Sequence, residues 1–165
     1  MPAITAIYHH AVLHGTATFE IEPPSQAEME KRRRDIQAGG HPFVVALVDD
    51  EVAGYAYASR YRPRPAYAAT VEDSVYVREE CQGRGIGRAL LTEVIALATA
   101  RDFRQMIAVI GDSANFASIT LHKRLGFVPV GSFRAVGFKF GRWLDTVLMQ
   151  RALGSSASTS WTNAG

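Results

Sequence analysis

Cysteine, net charge and long apolar runs are all scarce in this sequence. Its 165 residues include one cysteine, Cys81, so no disulfide can form within the chain, and we expect a protein of the reducing cytoplasm. No stretch approaches the roughly 20 apolar residues of a membrane span. The start, MPAITAIYHHAVLHG, lacks the basic segment and apolar run of a signal peptide. The net charge of +2 is too small to indicate nucleic acid, so we expect neither a nucleic acid nor a membrane as a partner.

The spacing of the potential metal ligands predicts no metal site. His9, His10, His14 and His41 are not spaced with carboxylates or with Cys81 in a zinc-binding pattern. The cysteine also lacks the Cys/His/Asp arrangement that would mark a nucleophile. The sequence therefore predicts neither a metal centre nor catalysis by cysteine.

Two helices and a hairpin are predicted in the first half of the chain. Apolar residues at helical spacing predict a helix over residues 3–14. Ser25 and Glu28, which follow two prolines, form the capping pattern of a second helix. The runs PFVVALV and VAGYAYASRY predict two antiparallel strands joined by a polar turn.

Strands alternate with helices in the second half. The run QMIAVI predicts a strand covered on both faces, and FVPVGSF and DTVLMQRAL predict two closing strands. The whole order predicts a single domain over residues 1–153, with one mixed α/β sheet and helices on its faces. The small polar residues of 154–165 predict a disordered tail.

The stretch CQGRGIGRALL contains three glycines, whose backbone no side chain covers, immediately before an apolar helix. The first N–H groups of a helix have no partner within it, and a glycine-rich approach lets an anion reach them. Arginines and a glutamine add charge and a hydrogen-bond donor, which predicts a pyrophosphate cradle made of Gln82, Gly83, Arg84, Gly85, Ile86, Gly87 and Arg88. A dinucleotide fingerprint needs glycine where Arg88 stands, and a P-loop needs a G-K-[ST] triplet that is absent. A tight glycine turn with solvated arginines is the alternative.

Residues 82–87 resemble the Q/R-x-x-G-x-G/A acyl-CoA signature of the GNAT N-acetyltransferase superfamily. The segments TVEDSVYV, AVIGDSANFASITLHKRLGF and GFKFGRWLD resemble its phosphinothricin and methionine sulfoximine N-acetyltransferase branch, and the likeness covers about residues 3–152. The resemblance implies the GNAT fold, acetyl-CoA as co-substrate, a small-molecule amine as acceptor, direct transfer and a homodimer. Because the chain starts within the family's first helix, the first edge strand is expected to be missing.

The resemblance also implies how the cofactor is held. The backbone of Val75, Tyr76 and Val77 would hold the acetyl group and the pantetheine arm, with the Val77 N–H as donor to the oxyanion. Asn115 matches a position that touches pantetheine, although an asparagine just before a helix is equally suited to cap it.

Two residues are candidates for moving protons. Glu72 shares a strand face with Ser74 and Tyr76, and the resemblance implies that it is the base that deprotonates the amine, directly or through a water. A partly exposed structural glutamate is the alternative. His122 is expected either to protonate the departing thiolate or to orient the amine, and the alternative is an ordinary helix residue.

The acceptor amine is expected to enter over the segments TATFEIEPP and YRPRPAY. Phe19 would form an apolar wall, and Glu20 or Glu22 would bind an ammonium group. Arg62 or Arg64 would pair with a substrate carboxylate, and Lys139 would close the far side.

The most favoured function is N-acetylation of a methionine-like amino acid, such as phosphinothricin, methionine sulfoximine or methionine sulfone. An acetyltransferase of another small amine and a non-catalytic acyl-CoA-binding module are the alternatives. Trp143 is expected in the core or in a dimer contact.

Overall fold

The computed structural model describes residues 1–161, which form four helices around one sheet. Two short 3-10 turns interrupt the chain at Pro65–Tyr67 and Glu79–Cys81. The elements are, in chain order, α1 (Pro2–His14), α2 (Gln26–Ala38), β1 (Phe43–Val48), β2 (Glu51–Arg60), β3 (Thr70–Val77), α3 (Ile86–Ala100), β4 (Gln105–Gly111), α4 (Phe116–Arg124), β5 (Val128–Lys139) and β6 (Arg142–Ala152). The predicted mixed α/β class is confirmed.

The six strands lie in the order β1-β2-β3-β4-β6-β5. All neighbouring strands are antiparallel except β3 and β4, which are parallel because α3 carries the chain between them. The β1–β2 hairpin follows the sequence prediction. Within residues 1–161 no strand precedes α1, so β1 and β5 are the edge strands.

The helix α2 begins where its capping residues predict. The Ser25 hydroxyl accepts a hydrogen bond from the Glu28 N–H at 3.2 Å, which satisfies one of the free donors of α2. Two ion pairs at i,i+4 spacing lie along α2, with Arg32 at 2.9 Å from Glu28 and Arg34 at 3.4 Å from Glu30.

Separate apolar clusters cover the two faces of the sheet. On one face, α3 packs against the central strands and buries Leu91, Val94 and Met106. On the other face, α1 and α2 pack against an aromatic layer around Tyr8 and Tyr55. Successive side chains of β3 point to opposite faces of the sheet, so they contact the two clusters alternately.

The strand β4 differs from the sequence prediction on one face. Ile107 pairs with Glu72 of β3, so Val109 lies on the same face as Glu72. The Val109 side chain is 39% exposed. The prediction of full cover on both faces is therefore wrong, because β3 diverges from β4 after Glu72 and leaves an opening here.

The closing strands are longer than their apolar cores suggested. Strands β5 and β6 form a hairpin whose turn, Phe140-Gly141, has positive φ at both residues, which is the two-residue turn that suits the twist of a hairpin. Trp143, beside this turn, is 64% exposed. It is therefore not a core residue of this chain.

Part of the predicted disordered tail packs against the domain. Residues 154–157 form turns, and the Arg104 guanidinium donates to the Thr159 hydroxyl at 2.8 Å. The Gln105 amide donates to the Ser156 hydroxyl at 2.7 Å. Residues 162–165 of the same predicted segment lie outside the described residues. Among residues 1–161, no helix has the length and apolarity needed to span a bilayer.

Candidate active site

A slot opens between β3 and β4 at the centre of the sheet. These strands pair only from Thr70–Gln105 to Glu72–Ile107. Beyond Glu72, β3 continues alongside β2 while β4 continues alongside β6. The divergence leaves an open-sided cavity lined by β3, β4 and the first turns of α4.

The backbone of β3 presents donors to this slot. The Arg78 N–H donates to the Ala53 carbonyl of β2 at 2.9 Å. Hydrogen bonding to one neighbour alternates along an antiparallel strand, so the N–H groups of Val75 and Val77 point away from β2 and towards the slot. No ladder partner on β4 faces them. Val75 and Tyr76, both predicted for the cofactor, line the cavity.

The glycine-rich segment lies at one end of the slot. Gly83 and Gly85 have φ values of 73° and 83°, which glycine adopts without strain. A Cβ added at Gly87 would lie 3.6 Å from Val77 Cγ2 and 3.5 Å from Leu121 of α4. The start of α3 therefore adjoins the end of β3.

The start of α3 is open to solvent. Gly85 is its N-cap, and no side chain caps the helix, so its first N–H groups stay free for a ligand. Gln82, Arg84 and Arg88 are exposed. This segment thus has the free donors and nearby cations of the predicted pyrophosphate cradle.

Glu72 lies beside the point where the strands diverge, on the face of α1 and α2. Its side chain is half-buried. Burial raises the pKa of Glu72 to about 7; the charge of Asp73 adds to the rise, and Arg62 opposes it. A carboxyl with this pKa takes up and releases protons near neutral pH, as a general base must.

His122 lies on the opposite face and is almost fully buried at 2% exposure. Its Nδ1 is 2.8 Å from the Ser118 carbonyl oxygen, and its Nε2 is 2.9 Å from Oδ2 of Asp73. Burial lowers the pKa of His122, but the hydrogen bond and charge of Asp73, together with the Ser118 carbonyl, raise it overall above its ordinary value.

Asp73 was not among the site residues predicted from the sequence, although its position on an apolar strand face could have indicated it. It is 7% exposed and lies on the face of Val71, Val75 and Val77. A carboxylate among valines is costly unless it is paired. Its partner could not be identified from the sequence, because His122 lies 49 residues further along the chain.

Asn115 lies at the start of α4 and beside the cavity. Its side chain accepts a hydrogen bond from the Ser118 N–H at 3.1 Å, so it is the N-cap of α4. It also lines the cavity. Capping fixes the start of α4 and hence the placement of His122 two turns later.

The loop between α1 and α2 forms a wall over the Glu72 face. Phe19 packs onto two glycines: a Cβ at Gly137 would clash with its ring, and a Cβ at Gly111 would lie 3.0 Å from it. Gly111 lies on the same face as Val109 and Glu72 by strand alternation. Phe19 therefore lies on the face of Glu72.

Glu20 and Lys139, both predicted for the acceptor, make hydrogen bonds within the chain. The Glu20 carboxylate accepts hydrogen bonds from the Tyr8 hydroxyl at 2.8 Å and from Arg32 at 2.7 Å. The Lys139 ammonium, in a residue only 5% exposed, donates to the Gly15 and Thr18 carbonyls. Both groups therefore hold the α1–α2 loop in place.

The two arginines predicted for the acceptor lie in the loop after β2. Arg62 and Arg64 are exposed. The Arg62 guanidinium lies over the Tyr61 ring, 5.1 Å from its centre, and its charge lowers the pKa of Glu72. Arg62 is thus within electrostatic reach of the candidate base.

Comparison with known families agrees with this geometry. Residues 6–127 match the model of the Acetyltransferase (GNAT) family. The chain belongs to the GNAT acetyltransferase family. The family and enzyme class predicted from the sequence are thereby confirmed.

Relatives of known activity cover almost the whole chain. A phosphinothricin N-acetyltransferase of Alcaligenes faecalis is 52% identical over 96% of this chain and 81% of its own. An L-methionine sulfoximine/L-methionine sulfone acetyltransferase of Pseudomonas aeruginosa is 42% identical over 96% of this chain and 92% of its own.

Solved structures of GNAT proteins share the fold. A phosphinothricin acetyltransferase from Sinorhizobium meliloti, in complex with acetyl-CoA, superposes with a TM-score of 0.94 at 52% identity, covering 97% of this chain and 86% of that one. A putative acetyltransferase from Salmonella typhimurium, also with acetyl-CoA, gives 0.93 at 38% identity, covering 99% and 92%. These complexes support acetyl-CoA as the co-substrate.

Proposed function

We propose that this protein transfers the acetyl group of acetyl-CoA directly to the α-amine of a small amino-acid-like substrate, of the phosphinothricin, methionine sulfoximine or methionine sulfone type. One observation carries the proposal: the slot between β3 and β4 joins the open start of α3 to the half-buried Glu72. The relatives at 52% and 42% identity support the class of substrate.

The cofactor is held by backbone more than by side chains. The free N–H groups at Gly83, Gly85, Ile86 and Gly87 bind the diphosphate, with charge from Arg84 and Arg88 and a further donor in Gln82. The β3 backbone from Val75 to Val77 then receives the pantetheine arm along the slot. Asn115, at the cavity wall, contacts the same arm while it caps α4.

Glu72 acts as the base. An ammonium has no lone pair, so the amine must lose a proton before it attacks. With its pKa raised to about 7 by burial, the Glu72 carboxylate takes that proton directly or through one water. The Val77 N–H, pointing into the slot, stabilises the oxyanion, and His122 protonates the departing sulfur.

The acceptor lies on the Glu72 face under the α1–α2 loop. Phe19 forms the apolar wall, and Arg62 and Arg64 pair with the substrate carboxylate. Glu20 and Lys139 contribute by fixing the loop in place. A site that pairs with a free α-carboxylate disfavours an internal residue of a protein.

We also propose a homodimer of the cytoplasm. The edge strand β5 exposes a row of apolar side chains, among them Val128, Val130, Phe133 and Phe138, which a second copy would cover. The reducing cytoplasm supplies acetyl-CoA and keeps Cys81 as a thiol. Sedimentation equilibrium tests the dimer, and a mass equal to one chain contradicts it.

Release of coenzyme A tests the function. The purified protein is mixed with acetyl-CoA and a panel that contains phosphinothricin, methionine sulfoximine, methionine sulfone and a polyamine without a carboxylate. We expect thiol release and an N-acetylated product, identified by mass spectrometry, with the amino acids alone. The Arg62→Gln/Arg64→Gln variant should raise their KM with little change in binding of acetyl-CoA. A rate equal to that without protein for every amine contradicts the proposal.

A further inference from the structure

The pair formed by Asp73 and His122 has a defined proton content. The Ser118 carbonyl oxygen can only accept, so His122 Nδ1 at 2.8 Å from it must carry a proton. The Nε2–Oδ2 contact of 2.9 Å needs a second proton between the two atoms. The imidazole can hold both protons while the carboxylate stays ionised, and the pair is then neutral as a whole.

This neutrality explains how two ionisable groups are buried together. Their side chains are 3% and 2% exposed, and an isolated charge in such surroundings would be very costly. Phe127 packs edge-on against the imidazole at 4.9 Å between ring centres. The ring is therefore fixed by two hydrogen bonds and an aromatic contact.

Few other charged groups reach the pair. Glu72, next to Asp73, lies on the opposite face of β3. From β4, the cavity wall is apolar through Ala108 and Ile110, and from α4 Ser118 and Asn115 face the cavity. Lys123 and Arg124 of α4 are exposed. Asp73 is thus the charged neighbour that governs His122.

Both residues border the cavity between β3 and β4. We propose that Asp73 is a positioning residue, which keeps His122 doubly protonated at the wall of the slot and so supplies the proton for the departing sulfur. Asp73 Oδ1 is buried and has no hydrogen-bond partner within the described residues. The carboxylate therefore directs its hydrogen bonding to His122 through Oδ2 alone.

The inference rests on the proposed function for its chemical step. As the carbon–sulfur bond breaks and its electron pair passes to sulfur, the Nε2 proton leaves its hydrogen bond with Asp73 Oδ2 and moves to the sulfur at the wall of the cavity, which both residues line. His122 is then neutral, its Nδ1–H still donates to the Ser118 carbonyl, and Asp73 beside it is ionised. The pair regains one proton from solvent after the thiol leaves, so protons and charge balance over a turnover.

Nitrogen-15 NMR of the histidines tests the positioning without any substrate. In the ligand-free protein we expect both His122 nitrogens to remain protonated above pH 6.5, the ordinary midpoint being about 6.5. In Asp73→Asn the Nε2 proton should be lost at least one pH unit lower. An unchanged midpoint in the variant overturns the proposal. If the variant does not fold, loss of the wild-type Nε2 proton below pH 6.5 overturns it equally well.

Kinetics distinguish a positioning residue from a purely structural one. We expect Asp73→Asn to lower kcat by about 10- to 100-fold with KM for acetyl-CoA nearly unchanged, and to move the alkaline limb of the kcat profile to lower pH. In a His122→Gln background, Asp73→Asn should add little, because it acts through His122. Full additivity of the two changes contradicts this role.

An exposed pair of the same kind is the matched control. Glu79 lies 3.1 Å from His10 Nε2, but these side chains are 70% and 47% exposed. Glu79→Gln should leave kcat within about twofold, because exposed ion pairs contribute little. If NMR confirms the His122 state while no amine is acetylated, the positioning stands and the proposed function fails.

Discussion

Glu72 and Asp73 are neighbours on β3, yet their side chains lie on opposite faces of the sheet and in different electrostatic surroundings. Glu72 is half-buried beside the acceptor wall, and burial raises its pKa to about 7. Asp73 is buried on the α4 face, where His122 lies at 2.9 Å. Two adjacent carboxylates thus differ because one has a close cation and the other has only the more distant Arg62.

The comparison separates two kinds of work. The Glu72 face has a carboxyl that exchanges its proton near neutral pH, which suits a base. The Asp73 face has a neutral pair that stores a proton, which suits the support of an acid. The slot between β3 and β4 connects the faces, so an acceptor on one side can meet a thioester that reaches through from the other.

Removing the base should have the largest effect. We expect Glu72→Gln to lower kcat/KM by about 100- to 10,000-fold, since a positioned base contributes this much. Steady-state release of coenzyme A measures it, with isothermal calorimetry confirming that acetyl-CoA still binds. A loss below tenfold would show that Glu72 is a structural glutamate of the strand.

The pH dependence should report the same carboxyl. With the pKa of Glu72 at about 7, the base is protonated at lower pH, so kcat/KM should fall about tenfold per pH unit on the acid side. A profile measured from pH 5 to 9 checks this. The residual activity of Glu72→Gln should lack that limb, and a limb that persists there belongs to another group.

Stability should change in opposite directions at the two positions. Asp73→Asn leaves buried His122 without its anion, which we expect to lower the free energy of unfolding by about 1–3 kcal/mol. Since the folded pKa of His122 is raised, the stabilisation is fully present below about pH 6.5 and is lost as pH rises through the folded pKa. Urea unfolding at pH 6 and pH 9 should therefore show the larger loss at pH 6.

Glu72→Gln supplies the contrast in the same experiment. A carboxyl whose folded pKa lies above its unfolded value binds more protons when folded, so it makes the protein less stable as pH rises between 4.5 and about 7. Removing it should stabilise the fold by about 1 kcal/mol at pH 8, a figure reduced for the partial exposure of the group. If Asp73→Asn and Glu72→Gln both destabilise the protein at pH 8, the proposed electrostatic difference between the two faces is wrong.

The smallest expected effect concerns Arg62. Its charge lowers the pKa of Glu72, so Arg62→Gln should move the acid limb of kcat/KM to higher pH by roughly half a unit, the arginine being exposed. The measured quantity is the pH at which the limb lies, because the plateau value of kcat/KM also depends on how well Arg62 binds the substrate carboxylate. High salt should screen the Arg62 charge and so reduce the difference in limb position between the wild type and Arg62→Gln. A limb position that changes neither with the substitution nor with salt contradicts the coupling.

The local parts of the site could be predicted from the sequence. The cradle depends on glycines that adopt positive φ and on a helix start that follows them, and these are properties of adjacent residues. Ser25 capping and the place of Asn115 before α4 are local in the same sense. Resemblance to a known family added Glu72 and His122.

The features that the sequence did not predict all concern distant partners. Glu20 and Lys139 were predicted only to meet a substrate, and in the fold they also hold the α1–α2 loop through Tyr8, Arg32 and two backbone carbonyls. Val109 was expected in a covered strand, but the divergence of β3 exposes it. Each outcome depends on elements far apart in the chain.

By itself, the sequence determined the helices, the alternation of β3 and the open helix start, because hydrophobic period, caps and backbone φ act within a few residues. Only the tertiary structure decided which of the two adjacent carboxylates gained a cation and which stayed in a half-buried site with a raised pKa. A buried charge is stabilised by whatever group the fold brings within about 3–4 Å of it, and for Asp73 that group comes from a helix 49 residues further along the chain.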